Sequence, residues 1–436
     1  MSKHTDGALK KVLKPVHLWA LAVGLVISGE YFGWNYGWSV AGTLGFLFAT
    51  IFVTILYITF IFSFTELTTS IPQAGGPFSY AYKAFGATGG LIAGYATLIE
   101  FVFAPPAIAF ALGSYVHFLH SSIPVMYTAV GCYIIFTIIN LLGIKESAVF
   151  NLIVTVLAVI ELLIFIGIVA PSFKTENFMQ DSMPFGYGGI FAALPFAIWF
   201  YLGIEGVAMV AEEVEDPQRN IPKGYIAGII TLVLLALAVM IFSGGIGNWQ
   251  SLSTIDYPLP ASISMVLGKT NSLTKIFAGI GLFGLIASFH SLIIGYSRQI
   301  FALSRSGFLP AVLSNVNKKF QTPHWALIAG MIVGLCSLFT GTTDKVIIIS
   351  ALGAVTMYCI SMISLFKLRK QSTHQPSFKT PLYPWFPAIA LLLSIIALIA
   401  IIYYNLTLSL VFFAGLIVAL VFFIASGKHK QSLKES

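Results

Sequence analysis

Apolar stretches of about twenty residues recur along this chain and restrict its fold more than any motif does. A helix that crosses a bilayer needs about 20 mostly apolar residues. Twelve segments qualify: 16 to 40, 42 to 67, 89 to 117, 123 to 143, 148 to 170, 188 to 211, 223 to 246, 271 to 301, 325 to 341, 345 to 366, 386 to 404 and 407 to 426. Backbone polar groups in hydrocarbon must find partners within the protein, so spanning segments of this kind are helices. Only 9% of the residues are charged, against 58% hydrophobic; soluble domains carry roughly 25% charged residues. The expected fold is an all-α integral membrane protein with twelve transmembrane helices.

The net charge of +7 would suit nucleic acid, but its distribution assigns it to topology. With the N-terminus in the cytoplasm, nineteen of the 23 Lys and Arg residues fall inside, leaving Lys174, Lys269, Lys275 and Lys345 outside. One missed span would invert every later loop and destroy this asymmetry. Both termini are therefore expected in the cytoplasm of a cell whose plasma (inner) membrane the chain crosses, with no nucleic-acid partner. The first 15 residues are polar and basic and the next segment lacks a small-residue cleavage site, so the first helix is expected to be an uncleaved anchor. Cys132, Cys336 and Cys359 all lie in apolar segments without metal-ligand spacing, which predicts small buried reduced residues, no metal and no cofactor. No Walker loop, GxSxG or HExxH occurs, so the chain is not expected to be an enzyme.

Two features interrupt the spanning pattern. The first segment carries Gly24 to Trp38, GLVISGEYFGWNYGW, which places Ser28, Gly29 and Glu30 near mid-membrane and follows them with Gly33 and Gly37. Segment six carries Gly203-Ile204-Glu205-Gly206, again a carboxylate bracketed by glycines. A carboxylate in hydrocarbon costs at least about 2.5 kcal/mol and marks a functional site by default. The two lie five helices apart, so they cross in opposite directions, which is the inverted repeat of secondary transporters with substrate bound where two broken helices meet. The expected organisation is a tail over 1–15, a transport core over 16–370 with repeats at about 16–171 and 187–370, two further helices over 371–427, and a tail over 428–436.

Glu30, Glu100, Glu161 and Glu205 lie deep in apolar segments, and no Lys or Arg lies at comparable depth. Each must be protonated, hydrogen-bonded, or neutralised by a cation that comes and goes. The alternative for each is a carboxyl that only braces bent backbone or helix packing. Glu66, at the end of segment two, reads as an interfacial carboxylate or helix-end partner. Acids without deep basic residues suit an ammonium and disfavour an anion, and aromatic faces add cation–π attraction of about 0.5–2 kcal/mol. Tyr31, Phe32, Trp199 and Tyr201 flank the interruptions. His290, beside Ser288 and Ser291, either relays protons or lines the site, or is a hydrogen-bonded structural residue; Glu100 and Glu161 are the other candidates for proton coupling. Pro105 and Pro106 are expected to kink segment three one turn after Glu100.

Four stretches resemble a known family. PQAGGPFSYAYKAFG (Pro72 to Gly86), AEEVEDPQRNIPKG (Ala211 to Gly224) and SRQIFALSRSGFLP (Ser297 to Pro310) are similar to loops after helices two, six and eight of the amino acid, polyamine and organocation (APC) transporter superfamily. ISGEYFGWNYGW (Ile27 to Trp38) is similar to its bacterial ethanolamine permeases. The resemblance implies the leucine-transporter-like five-plus-five repeat with helices 1 and 6 broken. Amino acid transporters of this superfamily commonly carry a Gly-Ser-Gly turn that holds the substrate carboxylate; here Ser28-Gly29-Glu30 occupies it. The resemblance also implies a gating aromatic at Trp199 and a substrate-side carboxylate at Glu205, with the unwound backbone at Leu202 and Gly203. Where relatives often carry a lysine in helix five this chain has Ala158, with Glu161 nearly one turn later. The expected function is uptake of ethanolamine or a similar small cationic amine by a permease, with or without a coupling proton or other cation. The alternatives are an amino acid or polyamine permease and, from another class, an amine sensor or channel.

Overall fold

The computed structural model describes residues 11–73, 75–143, 148–371 and 376–425. The expected tail 428–436 and the basic residues Lys3, Lys10, Lys145, Lys428, Lys430 and Lys434 lie outside them. The described residues form helices and no strand. In chain order these are α1 (Pro15–Val26), α2 (Ser28–Tyr31), α3 (Tyr36–Ser70), α4 (Pro77–Leu119), α5 (Val125–Leu141), α6 (Ala148–Val169), α7 (Thr175–Met179), α8 (Gly186–Ala192) and α9 (Leu194–Trp199). There follow α10 (Pro217–Gly244), α11 (Pro258–Leu267), α12 (Ser272–Arg305), α13 (His324–Thr340), α14 (Thr343–Arg369), α15 (Trp385–Tyr404) and α16 (Leu406–Ala425). A 3-10 helix, Ile204–Glu213, lies between α9 and α10.

Nine helical stretches among the described residues are long and apolar enough to cross a membrane. Four shorter apolar helices accompany them: α1, α5, α11 and α13. The 35 residues of α3 hold two arms, because Gly42 adopts φ 70° and turns the chain between them. α4 leaves helical geometry at Gly86, where φ is 68°. The expected proline kink is thus not where α4 departs from the helix: Pro105 and Pro106 sit inside its second arm.

α4 packs along α14 and α12, α1 along α10 and α6, and α3 along α10 and α15. Their contact faces are lined by small residues, as membrane helices require for close approach. A Cβ on Gly353 of α14 would lie 2.5 Å from the Ala96 carbonyl and 2.7 Å from the Glu100 amide of α4. The outward faces of α5, α6, α15 and α16 expose Ile135, Ile153, Leu163, Ile399 and Val418. On a membrane protein that surface meets lipid. The cysteines differ from expectation: Cys336 is exposed on the apolar face of α13, and Cys132 and Cys359 are only partly buried. All three are unbridged.

Candidate functional site

α1 begins at Pro15, where the missing N–H costs nothing, and ends at Val26. One turn, α2, follows; then Phe32 is extended at φ −165° and Gly33 takes φ 90°, a value that favours glycine. The amide of Gly33 donates to Asn35 Oδ1 at 3.0 Å and the indole of Trp34 to the Glu30 carbonyl at 3.1 Å. Side chains thus replace partners that helix geometry would have supplied. The second interruption follows α9: residues 200–203 leave the helix and Gly203 adopts φ 97° before the 3-10 helix starts.

The two interruptions touch. A Cβ on Gly29 would collide with the Trp199 carbonyl, and one on Gly33 with the Trp199 indole. Trp199 Nε1 donates to the Phe32 carbonyl at 3.0 Å, and its ring meets Phe32 edge-on at 5.7 Å. Trp34 stacks on Phe200 at 5.8 Å, closing the same seam.

The acids fall into three settings. Glu30 is fully buried in α2, and neither of its carboxyl oxygens meets a hydrogen-bond partner among the described residues. Tyr201 and Tyr31 lie within its electrostatic reach. Glu205 and Glu100 are neighbours, with the Gly203 backbone beside Glu100. The Tyr358 hydroxyl donates to Glu205 Oε2 at 3.5 Å, and Tyr225 to the Glu205 carbonyl at 3.3 Å. Behind Tyr358 stands Tyr57, the hydroxyls 2.6 Å apart, and Tyr57 also reaches the Ile198 carbonyl at 3.4 Å. Tyr201 pairs with Thr54 at 2.7 Å. Leu202 is buried beside them. Glu161, the third setting, accepts from the Tyr31 hydroxyl at 2.7 Å.

Ser28, Gly29, Phe32 and Trp199 therefore converge, as do Glu100, Gly203 and Glu205. Ser28 is fixed by the Ser288 hydroxyl at 2.8 Å, which itself donates to the Leu25 carbonyl. Tyr31 instead turns to α6, and its ring fits against Gly281 and Gly284 of α12. His290 faces α5, with Asn140 at 3.2 Å and the Phe136 ring edge-on. Sequence reasoning missed Thr54, Tyr57, Tyr225 and Tyr358. For the first two a signal existed, because polar residues three apart share a helix face.

Both ends of this region are tied. Residues before α1 pair with the end of the 3-10 helix and the stretch that follows it: Val12 N–H donates to the Glu213 carbonyl at 3.0 Å and Glu215 N–H to the Leu13 carbonyl at 3.0 Å. Arg298 of α12 adds an ion pair to Glu213 at 3.6 Å. At the other end, Asn35 Nδ2 donates to the carbonyls of Leu252 and Ile255 at 2.6 and 2.8 Å. Among the described residues no group of three or more His, Cys, Asp or Glu is placed to hold a metal ion.

A profile of the amino acid permease family matches residues 13–430. Among curated proteins, the chain is 26% identical to the branched-chain amino acid permease BcaP of Bacillus subtilis, over 98% of this chain and 95% of that one. It is 27% identical to the methylthioribose transporter of the same organism, over 88% and 87%. It is 26% identical to the aromatic amino acid transport protein AroP of Escherichia coli K12, over 86% and 87%.

Proposed function

The chain belongs to the amino acid permease family, and from that premise we propose that it is a secondary transporter taking up ethanolamine or a similar small cationic amine by alternating access. It is a multi-pass membrane transporter and not an enzyme. The observation that carries the substrate reading is Glu30: a buried carboxyl, without a hydrogen-bond partner among the described residues, in the turn that joins α1 to α3. A buried acid in that state lacks a donor or a cation. An ammonium ion supplies both. An amino acid would bring a second carboxylate against Glu30, where like charges a few ångströms apart repel by several kcal/mol.

In this reading Ser28, Gly29, Phe32, Trp199, Tyr201, Leu202 and Gly203 line the site around Glu30, with Glu100 and Glu205 as its second acidic group. The asymmetry of the basic residues supports cytoplasmic termini, and in this reading the membrane is the plasma membrane. A transported cation gains about 2.3 kcal/mol per 100 mV, roughly 50-fold accumulation at that voltage since 1.36 kcal/mol is tenfold. A coupling proton is permitted and not required.

The second reading, an amino acid permease in the strict sense, is favoured by relatives named for branched-chain and aromatic amino acids. One relative named for methylthioribose supports a broader range of substrates. Counterflow in proteoliposomes separates the readings. Labelled ethanolamine should exchange with ethanolamine and compete poorly with alanine, arginine, choline or putrescine. Saturable exchange of alanine at a comparable rate would establish the second reading, and binding without flux would remove the carrier altogether.

A further inference from the structure

Asp256 lies in the connection between α10 and α11, outside the spanning helices, at the end of the bundle opposite the N-terminus. Its Oδ1 accepts from the Tyr36 hydroxyl at 2.8 Å and its Oδ2 from the Thr343 hydroxyl at 2.9 Å. Tyr36 opens α3, immediately after the first interruption, and its ring stacks on Phe196 of α9 at 6.0 Å, just before the second. Thr343 opens α14. One carboxyl therefore fastens α3, where the chain leaves the first interruption, to α14, and the Tyr36 ring carries the contact on to α9. Asn35, the residue before Tyr36, is bonded to the same connection at Leu252 and Ile255. Separation of α3 from α14 at this end parts Asp256 from Tyr36 or from Thr343.

We propose that Asp256 is the latch of the outer gate, its carboxylate holding α3 to α14 while that end is closed. The proposal needs the protein to be a carrier with two gates; it is independent of the substrate. The two oxygens of Asp256 each accept from one hydroxyl, Tyr36 on α3 and Thr343 on α14, so the carboxylate holds both helices at once. Substitution of Asp256 frees both contacts, and substitution of either hydroxyl frees one.

Ile347 of α14 reports on this gate: it is fully buried, one turn after Thr343, with its side chain against Gly33. The test labels Ile347→Cys with an impermeant maleimide from the outer side, in a background with Cys132, Cys336 and Cys359 replaced by serine. No substrate is present. Asp256→Ala removes both bonds and should label about tenfold faster than the parent at pH 7. A rate equal to that of the parent would overturn the latch. Tyr36→Phe keeps the stacking on Phe196 and removes one hydroxyl, and Thr343→Val removes the other. Both should label faster than the parent, each by less than Asp256→Ala. Labelling no faster than the parent in both variants would overturn the latch.

Discussion

The hydroxyl of Tyr31 donates to Oε2 of Glu161 at 2.7 Å, joining the one-turn helix α2 to the middle of α6. The same hydroxyl lies 3.3 Å from the Ala158 carbonyl, and Tyr115 binds the Tyr31 carbonyl at 3.3 Å. Displacement of α2 must therefore move this bond. Glu161 keeps one oxygen without a hydrogen-bond partner among the described residues. If Glu161 carries a coupling proton, Glu161→Gln should retain ethanolamine exchange and lose accumulation driven by a pH gradient. Tyr31→Phe leaves the buried acid without its donor, a loss of about 1–3 kcal/mol readable as a lower unfolding temperature in detergent. An unchanged gradient response in Glu161→Gln would take proton coupling away from this pair.

Trp199 fixes one interruption to the other through a single indole bond to the Phe32 carbonyl. Trp199→Phe preserves an aromatic contact with Phe32 and deletes the donor. The expected cost is about 1 kcal/mol, roughly fivefold in the closing equilibrium. It should appear as weaker substrate retention in binding assays, with the unfolding temperature nearly constant. Retention equal to the parent would assign Trp199 to packing alone.

At the far end of α3 the chain is braced differently. Glu66 is buried and accepts two bonds from Arg369 of α14, at 2.5 Å each, and two from Thr380, at 2.7 and 2.8 Å. Arg369 also lies over the Tyr383 ring at 4.0 Å. Removing one partner of a buried pair strands the other, at about 3–5 kcal/mol. Glu66→Gln should therefore lower the unfolding temperature markedly while leaving the apparent affinity of the remaining folded protein unchanged. A change in affinity without loss of stability would place Glu66 in the transport path.

Glu205 stands between Glu100 and the Tyr358 hydroxyl. Two carboxyls side by side in a buried site hold one net charge far more readily than two. Glu205→Gln should reduce ethanolamine transport at least tenfold in a protein that remains folded in detergent. Wild-type uptake in a well-folded variant would remove Glu205 from the mechanism.

The costly residues were legible in the sequence. A carboxylate bracketed by glycines inside an apolar run has few bland explanations, and this singles out Glu30 and Glu205 in the sequence. The close approach of the two glycine-bearing turns through Gly29 and Trp199 could be expected only from the repeat. The direction of Tyr31 could not be read, because a side chain's face follows helical phase and the phase is lost at an interruption. Tyr57 and Tyr358 are two of 18 tyrosines, 301 residues apart; nothing local marks them as partners. Asp256 was hidden for the opposite reason, since an acid in a connecting loop is ordinarily solvated. Its two partners, Tyr36 and Thr343, reach it from distant parts of the chain.

In the proposed transporter, selectivity depends on Glu30 and on what its neighbours can donate. Its carboxyl is buried beside a turn whose backbone has left helical geometry at Phe32 and Gly33, and no basic side chain pairs with it among the described residues. The positive end of the helix that follows favours partial negative charge, so a substrate hydroxyl is welcome where an ammonium can also pair with Glu30. Ethanolamine carries both groups on a short chain and no carboxylate. Glu30→Gln keeps the shape and removes the charge; it should abolish ethanolamine uptake, a loss of 100-fold or more if the ammonium contact is worth about 3 kcal/mol. Glu30→Gly removes the repulsion as well and should admit a small neutral amino acid at low rate. Uptake of labelled ethanolamine and alanine by the three proteins, at matched expression, decides the matter. Normal ethanolamine transport by Glu30→Gln, or alanine transport by the parent at the ethanolamine rate, would show that Glu30 does not set the substrate.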